Sequence, residues 1–175
     1  MALSHCWGKK LDARLLRENY NSYLNDISVH ILPLVFRDAF QIAGRAGINY
    51  LWIDSLWIVQ DSSNQEDWKR EAQNMASVYK HAFCTIAATG FENGDNGLFV
   101  SRNTELLQPI GINIERDIES PNGDMEDTLA GRCLLVDRRS WQNGVDFAPL
   151  NTRGWVVQER LLPPRSLHFG SEQLF

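Results

Sequence analysis

The sequence predicts a single three-layer α/β domain. A mainly parallel central sheet carries helices on its faces and an inserted β-hairpin region. Three observations predict it. "NYLWI" (49–53) is a near-continuous apolar run, the pattern of a strand covered on both faces. "FCTIAA" (83–88) is a second such run. Between them lies a segment of helical periodicity, and strand, helix and strand at this spacing form a βαβ unit, hence a parallel sheet.

The elements follow in chain order. "ALSHC" (2–6) reads as a strand ended by Trp7-Gly8. Residues 9–31 are mixed and polar and carry no clear pattern. Pro33 opens a helix over 33–46, with Val35, Ala39, Ile42, Ala43 and Ala46 at helical spacing and Gly47 where a C-terminal cap belongs. A strand at 49–54 stops at an acid. Ser63 and Glu66 have the spacing of a capping box, which predicts a helix over 65–81. Trp68, Ala72, Met75, Tyr79 and Ala82 form its apolar face, and Lys80 and His81 suit its C-terminal end. After the strand at 83–88, "GFENGDNG" (90–97) reads as a connecting loop. Residues 106–114 and 132–137 pair as an antiparallel hairpin, with "ESPNGDMED" an exposed acidic turn between them. "NTRGWVVQERLLPPR" is a short helix stopped by Pro163-Pro164. The final "SLHFGSEQLF" reads as a strand or hairpin that breaks off, and the first residues are already a strand. Residues 1–175 are therefore expected to be one domain cut from a longer protein.

Composition narrows the function. The 175 residues are 43% hydrophobic and 22% charged, as in an ordinary globular domain. A net charge of -5 argues against nonspecific nucleic-acid binding, which needs a basic face. No apolar run approaches the ~20 residues that span a bilayer, so no membrane partner is expected. "MALSHCWGKK" has no basic n-region followed by an apolar h-region. Cys6, Cys84 and Cys133 are an odd set with long gaps, which suits free thiols and a cytoplasmic location. Neither they nor the four scattered histidines have metal-ligand spacing, so no metal or resident cofactor is expected.

Two carboxylates stand out. In "YLWIDSLWIVQD", Asp54 and Ser55 interrupt an apolar run just after a parallel strand. Ligands bind outside the carboxyl ends of such strands, so both residues lie at the rim where a site forms. The structural alternative is an aspartate that accepts backbone N–H bonds and shapes the loop. Glu159 shares a helix face with Trp155, Val156 and Leu162. Partial burial raises a carboxyl pKa, as in many catalytic acids and bases. Here the alternative is an ion pair with Arg153 or Arg160. A His5-Cys6 thiol dyad fails on geometry, because neighbours on a strand point to opposite faces. The loop 90–97 has neither phosphate-binding fingerprint nor calcium-loop spacing.

Three ordered blocks carry a family resemblance: "LSHCWG", "YLWIDSLWIVQD…DWKREAQNMASVYKHAFCTIAA" and "TRGWVVQERLLPPRSLHFG". They resemble the heterokaryon incompatibility (HET) domain, a fungal module of programmed cell death and non-self recognition, over residues 3 to about 170. The family's second block usually reads "DSLCI"; here Trp57 stands in place of that cysteine. HET domains are in turn distantly similar to Toll/interleukin receptor (TIR) domains, which have a flavodoxin-like sheet and some of which cleave NAD. "GWVVQERL" resembles the W-C-x-x-E-L pattern of their catalytic helix, with one more residue between Trp155 and Glu159. The resemblance implies Glu159 as the catalytic residue and NAD as a substrate. Ser4, Trp7, Asp54, Ser55, Arg153 and Trp155 would line the substrate cleft. It also implies activity on self-association or with a signalling partner. The alternative is a non-enzymatic oligomerisation module of the same pathway.

Overall fold

The computed structural model describes residues 1–8, 13–103, 105, 108–114, 131–135 and 137–175. Four short strands form its centre: β1 (Ala2–Ser4), β2 (Trp52–Ile53), β3 (Thr85–Ala87) and β6 (Ser166–His168), in the order β2-β1-β3-β6. All three pairings are parallel. Each strand is shorter than its apolar run. The second ends at Ile53, and Asp54 opens a one-turn helix, α3 (Asp54–Trp57), instead of closing the strand.

The side-chain period of two sorts the strand residues into two layers. Leu3 lies in register with Ile53 and Ile86, and all three pack against Val35, Phe36 and Ala39 of α2 (Leu34–Arg45). On the other face, Ala2 packs with Met75 and Tyr79 of α4 (Glu66–His81). Ala87 packs there with Val156 of α5 (Val156–Leu161). These are the three layers. A further short helix, α1 (Tyr20–Asn25), lies in the stretch without a sequence pattern. β4 (Ile110–Ile114) and β5 (Gly131–Leu135) form the antiparallel hairpin. The acidic turn "ESPNGDMED" lies outside the described residues. Among the described residues, no helix is long and apolar enough to cross a membrane.

Helix ends show where local chemistry decides and where it does not. Gly47 takes φ +70, and the amides of Gly47 and Ile48 close the α2 end onto Gly44 and Ala43 at 3.0 and 2.9 Å. The capping box at Ser63 does not form. Asn64 and Gln65 adopt left-handed backbone (φ 51 and 57), which carries Ser63 out of line with the helix. Ser62 Oγ accepts from the Asp67 amide instead, at 3.3 Å, and Ser63 Oγ accepts from Arg17 at 2.6 Å. After β6 the chain turns back on itself in an antiparallel pairing. Phe169 bridges Leu174, and the amides and carbonyls of His168 and Phe175 pair both ways.

The loop 90–97 is docked onto the body of the domain. Gly94 O accepts from the Val35 amide at 3.0 Å. Buried Asp38 of α2 accepts from the amides of Leu98 and Phe99 at 2.6 and 3.3 Å. Gly97 has φ +68, and a Cβ there would lie 2.6 Å from Asp38 Oδ2, so the approach requires glycine. Replacing Asp38 by Ala strands the buried Leu98 amide and frees the partly exposed Phe99 amide. The expected loss is ~1–3 kcal/mol, the cost of one unsatisfied buried donor, read from urea denaturation. An unchanged midpoint would mean that the amides find other partners.

Candidate functional site

The strand order turns about β1. The chain runs from β1 outward to β2, then crosses back to β3 on the other side. Such a switch point leaves a crevice at the strands' carboxyl ends. A cleft of about 1010 Å³ lies there. The segment after β1 contributes Cys6, Trp7 and Gly8 to its wall; those after β2 and β3 contribute Asp54 and the loop acids Glu92 and Asp95. Trp68 and Met75 of α4 and Arg153 and Trp155 before α5 complete it.

Behind this wall the polar residues form one connected chain. Trp7 Nε1 donates to Asp54 Oδ2 at 3.0 Å, and the Ser55 amide donates to Asp54 Oδ1 at 2.7 Å. Arg153 Nη2 lies 3.6 Å from Asp54 Oδ2. Its Nη1 donates to Glu159 Oε2 at 3.4 Å and also to the His5 carbonyl. Ser4 Oγ, at the carboxyl end of β1, donates to the same Glu159 oxygen. Ser4, Trp7, Asp54, Ser55, Arg153 and Glu159 are therefore brought together from widely separated parts of the sequence. Trp155 stands beside them on the cleft wall, edge-on to Trp68 with ring centroids 5.6 Å apart.

These residues do not all reach the cleft. Trp7, Asp54, Arg153 and Trp155 line it, whereas Ser4, Ser55 and Glu159 lie behind. The Glu159 side chain is 0% exposed, and its Oε1 has no partner among the described residues. Arg153 is the ion-pair partner of Glu159; Arg160 pairs with Asp146 at 2.6 Å. Asp54 combines both sequence readings, accepting a backbone N–H while standing on the cleft wall. Burial raises the pKa of Asp54 and of Glu159, opposed in each case by the Arg153 charge. Two buried carboxylates thus share one guanidinium.

β1 ends at Ser4, so His5 and Cys6 lie just past the strand, and each makes separate contacts. The His5 ring stands edge-on to Phe36, 4.9 Å between centroids, while Cys6 packs with Ala87, Leu150 and Val156. Burial raises the Cys6 thiol pKa, the reverse of an activated nucleophile. Among the described residues, no group of three His, Cys, Asp or Glu side chains is placed to hold a metal ion.

Several residues of the wall carry no signal that marks them in the sequence. Glu92 and Asp95 sit in the loop read as a connector, although that loop follows a parallel strand just as Asp54 does. Trp68 and Met75 belong to the apolar face that the spacing predicts for α4, and both line the cleft.

The fold and crevice define a doubly wound α/β domain with a ligand-sized cleft at its switch point. The sequence matches the family model described as "Heterokaryon incompatibility protein (HET)" over residues 1–159. The chain belongs to this family. The match takes in every residue of the cluster and ends at Glu159, rather than extending to about 170. No curated protein and no solved structure matches the chain.

The histidine behind the cleft makes a pH prediction. Burial, with the Arg153 charge adding to it, lowers the His5 pKa from 6.5 to about 3. The unfolded chain therefore binds the extra proton between these values. The stability linked to neutral His5 is fully present above pH 6.5 and is lost as pH falls toward 3. Asp54 and Glu159, with raised pKa, act in the opposite sense: stability falls as pH rises through their folded-state values. A His5→Leu variant should lose less stability than wild type on acidification through this window. The difference is on the order of a few kcal/mol, read from urea midpoints across pH. Parallel acid profiles would show that His5 is not the group responsible.

Proposed function

We propose that this heterokaryon incompatibility domain cleaves NAD in the cleft when copies of it associate, with the negative charge of Glu159 required for the step. The observation that carries the reading is the Trp7–Asp54–Arg153–Glu159–Ser4 chain behind a cleft of about 1010 Å³. The chemistry suits these groups. The nicotinamide–ribose bond breaks with its electron pair going to the pyridinium ring, which leaves as neutral nicotinamide and needs no general acid. The ribosyl carbon becomes oxocarbenium-like, and buried carboxylate charge stabilises it. Water then adds and a proton is released. The products are nicotinamide and ADP-ribose. Trp7, Trp68 and Trp155 offer faces and edges for the two bases. Arg153, 22% exposed, offers the diphosphate a bidentate donor.

A second reading is favoured by the full burial of Glu159. In it the cluster is a structural tether, and the domain signals by binding a copy of itself or a partner. Trp57, 61% exposed at the family's cysteine position, and Tyr50, 85% exposed, are residues of the kind that anchor interfaces.

Nicotinamide release from NAD by purified protein, at high concentration or artificially clustered, separates the two. Glu159→Gln removes the charge and keeps the shape. Release should fall ~10²-fold or more, the scale for one preorganised electrostatic group, while thermal melting shows a folded protein. A folded Glu159→Gln protein that cleaves NAD at the wild-type rate sinks the enzymatic role of Glu159. Loss of folding in step with loss of activity supports the tether.

A further inference from the structure

We infer that Asp54 is the carboxylate that touches the substrate, and that Glu159 is a positioning residue that acts on it through Arg153. This rests on the NAD-cleavage reading.

The geometry separates the two acids. Asp54 stands on the cleft wall; Glu159 does not, and Arg153 lies between them, 3.4 Å from Glu159 Oε2 and 3.6 Å from Asp54 Oδ2. Glu159 is fully buried, and its ion-pair partner Arg153 is the residue of the pair that lines the cleft. Asp54 is also the best-held acid on the wall. Trp7 Nε1 fixes one oxygen at 3.0 Å and the Ser55 amide fixes the other at 2.7 Å. A carboxylate already oriented needs no reorganisation as cationic charge develops beside it. Glu92 and Asp95 also line the cleft, but on the loop after β3 and outside this chain of bonds.

Charge balance gives Glu159 its part. With both carboxylates ionised, the cluster of Asp54, Arg153 and Glu159 carries a net charge of -1. Facing Arg153 alone, Asp54 would be half of a neutral pair and would offer a cationic ribosyl carbon little. Glu159 takes up the guanidinium charge from behind and leaves the charge of Asp54 available to the cleft. The acid that the family resemblance marks is thus required without contact, and the acid in contact comes from the end of β2.

This arrangement predicts a rescue. Four variants are compared for nicotinamide release at saturating NAD, for NAD binding and for melting temperature: Asp54→Asn, Glu159→Gln, Glu159→Gln with Arg153→Gln, and Asp54→Asn with Arg153→Gln. Each single variant should lower kcat ~10²-fold or more and keep NAD binding. Removing Arg153 together with the Glu159 charge restores the net negative charge of Asp54. The Glu159→Gln/Arg153→Gln protein should therefore recover at least tenfold in kcat over Glu159→Gln, with a raised KM because the cation facing the diphosphate is gone. The Asp54→Asn/Arg153→Gln protein should show no recovery. A folded Glu159→Gln/Arg153→Gln protein no faster than Glu159→Gln overturns the inference and leaves NAD cleavage standing, as does an Asp54→Asn protein with wild-type kcat. If the Glu159→Gln/Arg153→Gln protein fails to fold, the kcat of Asp54→Asn decides alone. Wild type that releases no nicotinamide in any clustered form removes the NAD reading, and this inference with it.

Discussion

The Arg153 guanidinium, held against Glu159 on one side and Asp54 on the other, joins the beginning, middle and end of the chain. Ser4 reaches Glu159 from the first strand, Asp54 comes from the end of the second, and Arg153 precedes the last helix. Each charge is tolerable only because the others are there. A lone carboxylate at the depth of Glu159 would take up a proton, and a lone arginine beside the His5 carbonyl would lose much of its solvation without compensation. The short strands leave little room for error, since β2 is two residues long and β1 is three. The polar cluster and the apolar layers therefore depend on each other. Leu3 and Ile86 pack one face of the sheet, while Ser4, next to Leu3, carries the hydrogen bond that ties the other face to α5.

Much of the fold was legible because its signals are local. Apolar runs bounded by polar residues gave the strands at 2–6, 49–54 and 83–88, although hydrogen bonding confines each to a shorter core. The spacing in α2 and α4 gave both helices, and Gly47 marked an end that does need positive φ. Glu159 was legible through its neighbours in the turn, and Val156 is indeed buried beside it, but Trp155 is 42% exposed and faces the cleft. The rest depended on partners distant in sequence. Helical spacing admitted either Arg153 or Arg160 as the mate of Glu159, and only the packing of α5 over β1 selects Arg153. The Ser63–Glu66 box met the pattern and still failed, because two left-handed residues between them redirect the chain. Asp38 gave no signal, since nothing local shows that a loop sixty residues on lends it two amides.

The same distinction applies to the site. The position of the cleft follows from a topological rule, which holds whatever the side chains are. Its depth does not. Which carboxylate faces the cleft depends on how Arg153 crosses between them, a matter of fractions of a side-chain length. The loop after β3 shows the same limit. The rule that singles out Asp54 applies equally to Glu92 and Asp95, but testing the loop for phosphate and calcium motifs leaves its acids without a role, because what they share with Asp54 is position and not spacing.

The 155-residue separation between Ser4 and Glu159 also sets an order in time. A ribosome adds roughly 5–20 residues per second, so the first strand is exposed for many seconds before the last helix is made. Throughout synthesis the Asp54 carboxylate and the Ser4 hydroxyl wait without the arginine and glutamate that complete them. The charge cluster closes only when α5 docks, after every other part of it has been made. A product that stalls before Glu159, whatever sheet it has built, never contains the assembled cluster.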